Sequence, residues 1–179
     1  MPRSKNVTSR IMASVKSHDT VAELAIRRRL WANGIRYRLN SNLFGHPDLV
    51  FVSRRVVVFV DGDLWHGNSW RIRGFPDLES QFQNNRSWWT EKIRRNIERD
   101  CDVTRRLQGE NWMVLRFWES AILSDPNSAV KDIMAALERN PGAQFYVDIP
   151  LTPSERRRLA SVVPREMRAS IQTAKENRR

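Results

Sequence analysis

The sequence is short of cysteine, of acidic residues and of long apolar runs. One cysteine, Cys101, stands among 179 residues, which excludes an internal disulfide framework and any zinc site built on several thiolates. No apolar stretch approaches the roughly 20 residues that cross a membrane, and the polar N-terminus lacks the apolar run of a secretory signal. We therefore expect a cytoplasmic protein with no membrane partner.

The shortage of acid leaves a large positive charge. Lys and Arg number 31 against 20 Asp and Glu, and the formal net charge is +11. Such an excess favours nucleic acid as the partner, because neutralised phosphates release condensed counterions. Seven tryptophans favour the same partner, since indole rings stack on bases or wedge between them. A merely basic surface, with tryptophans confined to a core, is the alternative.

Composition divides the chain into three segments. Residues 1–19 form a basic arm, residues 20–140 carry the patterns of a folded core, and residues 141–179 form a basic extension. In the extension, the capping box Thr152-Pro-Ser-Glu155 precedes several arginines. This pattern predicts a basic C-terminal helix.

The core contains three helical patterns. A capping box at Thr20 opens a helix that ends at Gly34. Residues 87–107 have the spacing of a long, basic, amphipathic helix, and Asp125 begins a further helix. Between the first two helices, residues 62–76 have no clear period and predict an irregular loop, which is where function often resides.

Three apolar runs of the core predict strands. Residues 48–52 and 56–60 predict a hairpin, and residues 112–118 predict a strand parallel to the second of these. Because the first two runs are continuously apolar, helices must cover both faces of the sheet. The predicted fold class is therefore α/β, a small mixed central sheet flanked by helices.

Acidic residues cluster where the predicted strands begin or end. Asp48 opens the first strand of the hairpin, and the second strand runs from Val60 into Asp61-Gly-Asp63. Such hard oxygen ligands suit Mg²⁺, which retains several waters. His66 follows a few residues later, where a neutral imidazole can take a proton from an attacking water. The alternatives are that these acids are turn formers or caps and that His66 is only solvated.

Several segments together resemble the very short patch repair endonucleases. In order, they are Arg10-Ile-Met12, Asp19-Thr20 with Glu23, Gly45-His-Pro-Asp48, Val58 to Gly67, Trp89-Thr-Glu-Lys-Ile93, Asn96 to Asp100, Trp112-Met-Val-Leu115 and Trp118-Glu119. The resemblance runs from about Arg10 to Leu137. It implies a PD-(D/E)xK restriction-endonuclease-like core that nicks double-stranded DNA at T:G mismatches left by deamination of 5-methylcytosine. We expect Mg²⁺ as the cofactor, Mn²⁺ as a substitute, and mismatch-repair or methyltransferase-associated proteins as further partners.

The resemblance also implies catalytic roles by position. Asp48 looks like the metal-binding carboxylate, the Val60 carbonyl looks like a backbone ligand of the metal, and His66 looks like the general base. Glu23 resembles an acidic catalytic residue on the first helix of the family. A purely structural role in the capping box explains the acidic residue Glu23 equally well.

A DNA-binding set follows from the same resemblance. Leu64, Trp65 and Trp89 correspond to residues that such enzymes wedge into the base stack beside the mismatch, where unstacking costs least. Trp89 is equally suited to the core of its helix. Lys92 and Arg99 lie on one side of that helix and can reach phosphates, unless they are only solvated charges.

Two departures from the family pattern qualify these expectations. Some relatives hold a structural zinc where this sequence has Asp63, Asn68 and Ser120, so we expect no zinc and a loop held by hydrogen bonds or packing. Some relatives have a second catalytic His where this sequence has Asp61, which favours Asp61 as a second metal ligand. The missing zinc ligands and the altered wedge residue Leu64 leave open a restriction or defence nuclease that cuts modified or foreign DNA. A non-catalytic DNA-binding module is the other alternative.

Overall fold

The computed structural model describes residues 19–39 and 41–139, and the structural statements below concern those residues. The predicted basic arm, apart from Asp19, and the predicted basic C-terminal helix lie outside them. Within them, no helix combines the length and the apolar character needed to cross a membrane.

Helices and strands alternate along the described chain. In order they are α1 (Val21–Ala32), β1 (Leu49–Phe51), β2 (Val56–Asp61), α2 (Ser69–Ile72), α3 (Arg86–Gly109), β3 (Met113–Trp118), α4 (Glu119–Ser124) and α5 (Pro126–Glu138). One turn of 3-10 helix, Val52–Arg54, links β1 to β2. The predicted α/β class is therefore confirmed.

Local capping explains where α1 begins and ends. At its start, the Thr20 hydroxyl accepts a hydrogen bond from the Glu23 backbone N–H at 3.3 Å, as the capping box predicts. At its end, Gly34 takes a φ of +74°, and the Ile35 N–H donates to the Leu30 carbonyl at 2.9 Å, which closes the helix with a left-handed cap. The predicted helix is confirmed, and its buried residues include Ala22, Ile26 and Leu30.

The sheet has the strand order β1-β2-β3. β1 is antiparallel to β2 and places Leu49 opposite Val58, whereas β2 and β3 are parallel. Both the predicted hairpin and the predicted parallel pairing are confirmed. Because side chains alternate along a strand, Val56 and Val58 pack with α1, α4 and α5, while Val57 and Phe59 pack with α3.

Two short helices were not predicted. α2 lies inside the segment predicted as an irregular loop, and α4 follows β3 directly. Helices of four and six residues are too short for the 3.6-residue hydrophobic period to show in a sequence. α4 nevertheless contributes Ile122 to the core and leaves Glu119 at the end of the sheet.

Asp63 holds the loop between β2 and α2. Its carboxylate accepts hydrogen bonds from Asn68 Nδ2 at 2.5 Å, from the Ser120 N–H at 2.9 Å and from Ser120 Oγ at 2.7 Å. Its backbone carbonyl accepts from the Asn68 and Ser69 N–H groups. The expectation that hydrogen bonds hold this loop therefore agrees with the structure.

Replacing Asp63 with Ala should destabilise the protein. The change leaves the buried Asn68 amide and the groups of Ser120 without their acceptor, and hydrogen bonds to a charged group contribute about 1.5–3 kcal/mol. We expect the free energy of unfolding to fall by about 2–3 kcal/mol in urea titration. Asp102→Ala, which removes an exposed partner of Arg105, is the control and should cost under about 0.5 kcal/mol. Equal losses in both variants would contradict this role.

Candidate active site

A cleft of about 800 Å³ lies at the end of the sheet where β1 begins and β2 ends. Its lining includes Asp48 before β1, Val60 near the end of β2, and the turn that carries Trp65 and His66. The N-terminus of α1, the α3 helix and Glu119 of α4 complete the walls. Three groups that the sequence singled out, Asp48, Val60 and His66, therefore meet in one cleft.

Asp48 is fixed by hydrogen bonds to β2. Its N–H donates to the Val58 carbonyl at 2.9 Å, and its Oδ2 accepts from the Val60 N–H at 2.7 Å. Burial raises the pKa of Asp48 to about 6, and the negative charges of Glu23 and Asp61 add to the rise. The carboxyl group thus lies where its charge is poorly compensated, a position in which a bound cation would favour the ionised form.

The turn that leads into Asp48 requires glycine. Gly45 has a φ of +81°, and a Cβ atom built on it would lie 2.2 Å from Val103 Cγ1 on α3. No ordinary side chain fits at that distance. The turn that leads into Asp48 therefore packs directly against α3.

Replacing Asp48 with Asn should stabilise the metal-free protein at neutral pH. The pKa of Asp48 in the folded state, about 6, lies above its ordinary value of 3.8. Folding therefore favours the protonated acid, and this stabilisation is present below pH 3.8 and lost as the pH rises through 6. Asn keeps an oxygen for the Val60 N–H but carries no charge.

We expect Asp48→Asn to raise the free energy of unfolding by up to about 3 kcal/mol at pH 8, with no gain at pH 3.5. The measurement is urea titration in the presence of EDTA at both pH values. Asp132→Asn, at an exposed position of α5, is the control. A gain from Asp48→Asn that is the same at both pH values would show that burial does not oppose the charge of Asp48.

His66 lines the cleft, and one of its ring nitrogens is bound by a carboxylate. Its Nδ1 contacts the Asp100 carboxylate, and Asp61 Oδ1 lies 3.5 Å from the same nitrogen. A carboxylate partner assigns the proton to Nδ1, which leaves Nε2 of the neutral ring able to accept a proton. Although burial opposes it, the hydrogen bond from His66 and the charge of Arg116 hold the pKa of Asp100 below its usual value. Asp100 is therefore an ionised support for the ring.

Contacts with α3 fix the turn that carries His66. Asn96 Nδ2 donates to the Trp65 carbonyl at 3.0 Å. Gly67 has a φ of +83°, and a Cβ atom there would lie 2.6 Å from Ile97 Cδ1. The left-handed φ and this close approach to α3 together favour glycine after His66.

Asp61 is bound by Arg116 rather than exposed to the cleft. Both of its carboxylate oxygens accept hydrogen bonds from Arg116, at 2.7 Å each, and Asp61 is absent from the cleft lining. Its side chain lies on the α3 side of β2, opposite to that of Val60. The structure therefore gives no support to the expected role of Asp61 as a second metal ligand, because both oxygens already have a partner.

Glu23 lies at the cleft, but its carboxylate is used within the start of α1. Oε1 accepts from the Thr20 hydroxyl at 3.2 Å, and Oε2 accepts from the Asp19 N–H at 3.1 Å and from Arg27 Nη2 at 2.7 Å. The side chain is buried. Capping and the Arg27 ion pair thus engage both oxygens of Glu23, and its negative charge contributes to the raised pKa of Asp48.

An aromatic cluster lies beside the cleft. The Trp65 and Trp89 ring centroids are 5.9 Å apart, and Trp89 also packs against Phe82 and Trp88. Lys92 Nζ lies 5.0 Å from the Trp65 ring and 4.9 Å from the Trp88 ring. Trp89 is half-buried within the cluster, whereas Trp88 is 57% exposed. Exposure thus identifies Trp88 as a surface residue that sequence reasoning missed.

Two cations beside the cleft remain available for phosphates. Arg99 lines the cleft, is 61% exposed and approaches an Asp100 oxygen only at 3.7 Å. Lys92 has no acidic partner within residues 19–39 and 41–139. Four other arginines of α3 are paired with carboxylates: Arg94 with Glu79, Arg95 with Glu91, Arg105 with Asp102, and Arg106 with Glu110. Leu64, the remaining predicted wedge residue, is partly exposed.

Three residues at or behind the cleft were given no role from the sequence: Asp100, Arg116 and Glu119. Glu119 had a usable signal, because the carboxyl ends of two parallel strands meet at one edge of a sheet. Trp118 lies opposite Asp61, so the next residue must reach the same edge. Arg116 also had a signal, since an arginine within a buried strand needs a carboxylate partner.

Sequence comparisons identify relatives of this chain. The family described as DNA mismatch endonuclease Vsr matches residues 3–72. A type II nicking enzyme of Neisseria meningitidis serogroup C is 41% identical over 136 residues, which cover 75% of this chain and 88% of that enzyme. A type II nicking enzyme of Haemophilus parainfluenzae is 38% identical over 126 residues, covering 70% and 86% of the two chains. The DNA mismatch endonuclease Vsr of Escherichia coli strain K12 is 34% identical over 121 residues, covering 67% and 70%.

The fold and the cleft define a small α/β nuclease core, with a carboxylate and an imidazole at one end of the sheet. The similar sequences identify one family within this class of nucleases. The chain belongs to the Vsr family of DNA mismatch endonucleases.

Proposed function

We propose that this DNA endonuclease nicks one strand of duplex DNA at T:G mismatches, by a hydrolysis that requires Mg²⁺. The strongest support is that Asp48, bound to the end of β2, and His66, bound to Asp100 of α3, line the same cleft. The Asp48 carboxylate is suited to bind a cation, and the His66 imidazole is suited to accept a proton. Phosphodiester hydrolysis needs both, because charge must be neutralised while a water is deprotonated.

Asp48 and Val60 fit a magnesium ion. The Asp48 carboxyl uses Oδ2 for the Val60 N–H, and its raised pKa marks a place where negative charge lacks a counterion. Within residues 19–39 and 41–139, no three His, Cys, Asp or Glu side chains lie close enough to hold a metal by themselves. Mg²⁺ would therefore take the Asp48 carboxylate, the Val60 carbonyl, waters and a DNA phosphate as ligands, a set typical of this ion. Mn²⁺ should substitute, and no zinc is expected.

The chain's own residues supply the proton transfer. When bound, the cation neutralises charge on the scissile phosphate and on the leaving oxygen. His66 Nε2 accepts a proton from the attacking water, while Asp100 holds Nδ1 and stabilises the imidazolium that forms. Arg99, exposed at the cleft, is placed to bind a neighbouring phosphate.

The aromatic cluster supports a mismatched duplex as the substrate. Trp65 lines the cleft beside His66, and Lys92 lies over its ring. A ring that enters the base stack pays a few kcal/mol of unstacking, least at a mismatched step. We propose Trp65, with its partly exposed neighbour Leu64, as the wedge, and the half-buried Trp89 as the support behind Trp65.

A nicking enzyme associated with restriction and modification is the second candidate. Two of the relatives are type II nicking enzymes by name. Such an enzyme would share the chemistry of the cleft and differ in the DNA that it accepts. A panel of substrates therefore separates the two candidates.

The test is incubation of the full chain with labelled 30-mer duplexes that carry T:G, 5-methylcytosine:G or fully matched pairs in several sequence contexts. Reactions contain Mg²⁺, Mn²⁺ or EDTA, and products are resolved on a denaturing gel. We expect one nick beside the T of the T:G duplex in Mg²⁺ and none in EDTA. Cleavage of matched or methylated duplexes at equal rates would favour the second candidate, and DNA binding without any cleavage would favour a non-catalytic module.

A further inference from the structure

Four ionisable side chains lie together behind the cleft, on the α3 side of the sheet. They form what we call the Arg116 cluster: Arg116, Asp61, Asp100 and His66. Arg116 donates to both oxygens of Asp61 at 2.7 Å, and its Nη2 lies 3.2 Å from Asp100 Oδ1. The other oxygen of Asp100 contacts His66 Nδ1. A continuous chain of polar contacts therefore leads from Arg116 to the imidazole.

Arg116 can influence the reaction only through these neighbours. Its side chain is 6% exposed, it does not line the cleft, and its guanidinium lies 4.6 Å from the Phe59 ring. β3 holds Arg116 directly opposite Phe59 of β2. Its link to Asp61 therefore joins two adjacent strands of the sheet and lies outside the lining of the cleft.

Stability alone is a poor explanation for the Arg116 cluster. The attraction within a buried ion pair is largely offset by desolvation, and well-packed apolar replacements are often neutral or stabilising. In addition, Arg116 Nη1 is buried without a hydrogen-bond partner in the part of the chain that the structure describes. A role in orienting the neighbouring groups accounts for the arrangement better.

We propose that Arg116 is a positioning residue that keeps the His66 ring paired with Asp100 and aims Nε2 at the cleft. Two carboxylates compete for the same ring nitrogen, because Asp61 Oδ1 is 3.5 Å from Nδ1. Arg116 engages both oxygens of Asp61 and so removes the competitor. Its contact with Asp100 Oδ1 also directs Oδ2 at the ring. The proposal rests on the proposed function for its catalytic test but not for its spectroscopic test.

Replacing Arg116 should slow nicking without weakening DNA binding. We expect Arg116→Met to lower the single-turnover rate about 100-fold, at the low end of what a general base contributes, and to change Kd by less than about twofold. Arg116→Lys should recover part of the rate, to within about tenfold of wild type, because an ammonium keeps the charge but lacks the planar fork. Partial rescue by Lys would show that both the charge and the planar geometry of the Arg116 guanidinium contribute to the rate.

Val114→Ala is the matched control for lost stability. Val114 is buried two residues earlier on the same face of β3 and packs in the core on the α3 side. Its truncation lowers stability and removes none of the hydrogen bonds or ion pairs of the Arg116 cluster. The nicking rate of the folded Val114→Ala protein should therefore equal that of wild type.

A spectroscopic test needs no substrate. The chain has three histidines, so the ¹⁵N imidazole spectrum of the whole protein is simple, and His66→Gln assigns the signals of His66. We expect one sharp set of His66 signals in wild type and in Val114→Ala. In Arg116→Met these signals should shift and broaden, as the ring exchanges between Asp61 and Asp100, with a smaller change in Arg116→Lys.

The outcomes separate this proposal from the proposed function. Wild-type rates and wild-type His66 signals in both Arg116 variants would overturn the proposal, and the Lys variant decides if the Met variant does not fold. Combining Arg116→Met with Asp100→Asn should cost at most about twofold beyond the worse single variant, because both act through His66; additive losses would overturn it. If wild type nicks no duplex, the proposed function fails, and the His66 spectra still decide whether Arg116 positions the ring.

Discussion

Replacing His66 with Ala should lower the single-turnover rate of nicking about 1,000-fold, while Kd for the duplex changes by less than about threefold. The large effect on rate follows from the loss of Nε2, the proton acceptor at the cleft, whose partner nitrogen is held by Asp100. The small effect on binding follows because the proposed phosphate and base contacts come from other residues, among them Arg99 and Trp65.

His46 offers a matched control for His66. It is exposed in the turn before Asp48 and has a φ of +52°, which Asn tolerates well. His46→Asn should therefore nick at the wild-type rate. A His66→Ala protein that nicks as fast as His46→Asn would remove His66 from the mechanism.

Asp48→Asn should also lower the single-turnover rate of nicking by about 1,000-fold or more, because the cation loses its carboxylate ligand. The same variant should be more stable than wild type without metal, because burial opposes the charge of Asp48 and raises its pKa. Lost activity together with increased stability is the pattern of a residue retained for function at the expense of stability. It also shows that inactivity does not come from unfolding.

Metal binding supplies a test of Asp48 that does not depend on activity. Because a ligand that binds only the folded state raises stability, Mg²⁺ or Mn²⁺ should raise the Tm of wild type, measured with nicked duplex present. The Tm of Asp48→Asn should not respond. Equal metal-induced shifts in both proteins would place the cation elsewhere.

Much of the fold followed from local patterns in the sequence. The capping box at Thr20 and the glycine at Gly34 fixed the ends of α1, and the runs ending at Val52 and Val60 predicted the hairpin. These signals are local, because capping and strand alternation depend on residues close together in the chain. The short helices α2 and α4 lacked such a signal.

The candidate site was only partly predictable. Asp48, Val60 and His66 could be placed in one region because strand ends locate them. The pairing of Asp61 with Arg116 could not, since it joins residues 55 positions apart in sequence and depends on which face of β2 each side chain occupies. Sequence position alone predicts Asp61 as a metal ligand and gives no sign of its pairing with Arg116.

Surface exposure was likewise hidden from the sequence. Trp88 and Trp89 are adjacent and chemically identical, yet one is 57% exposed and the other is half-buried against Phe82. The periodicity of a helix predicts which of its side chains are buried. In the first turn of α3, however, contacts with Trp65 and Phe82 from the preceding segment also bury Trp89. The exposed indole of Trp88 only becomes evident from the folded arrangement.

Anomalous diffraction from crystals of the protein with Mn²⁺ and a nicked duplex would locate the cation relative to Asp48 and His66. We expect a manganese peak bonded to an Asp48 carboxylate oxygen and to a phosphate oxygen at the nick, with His66 Nε2 facing that phosphate. A manganese peak remote from Asp48, or a nick bound away from His66, would contradict this expectation.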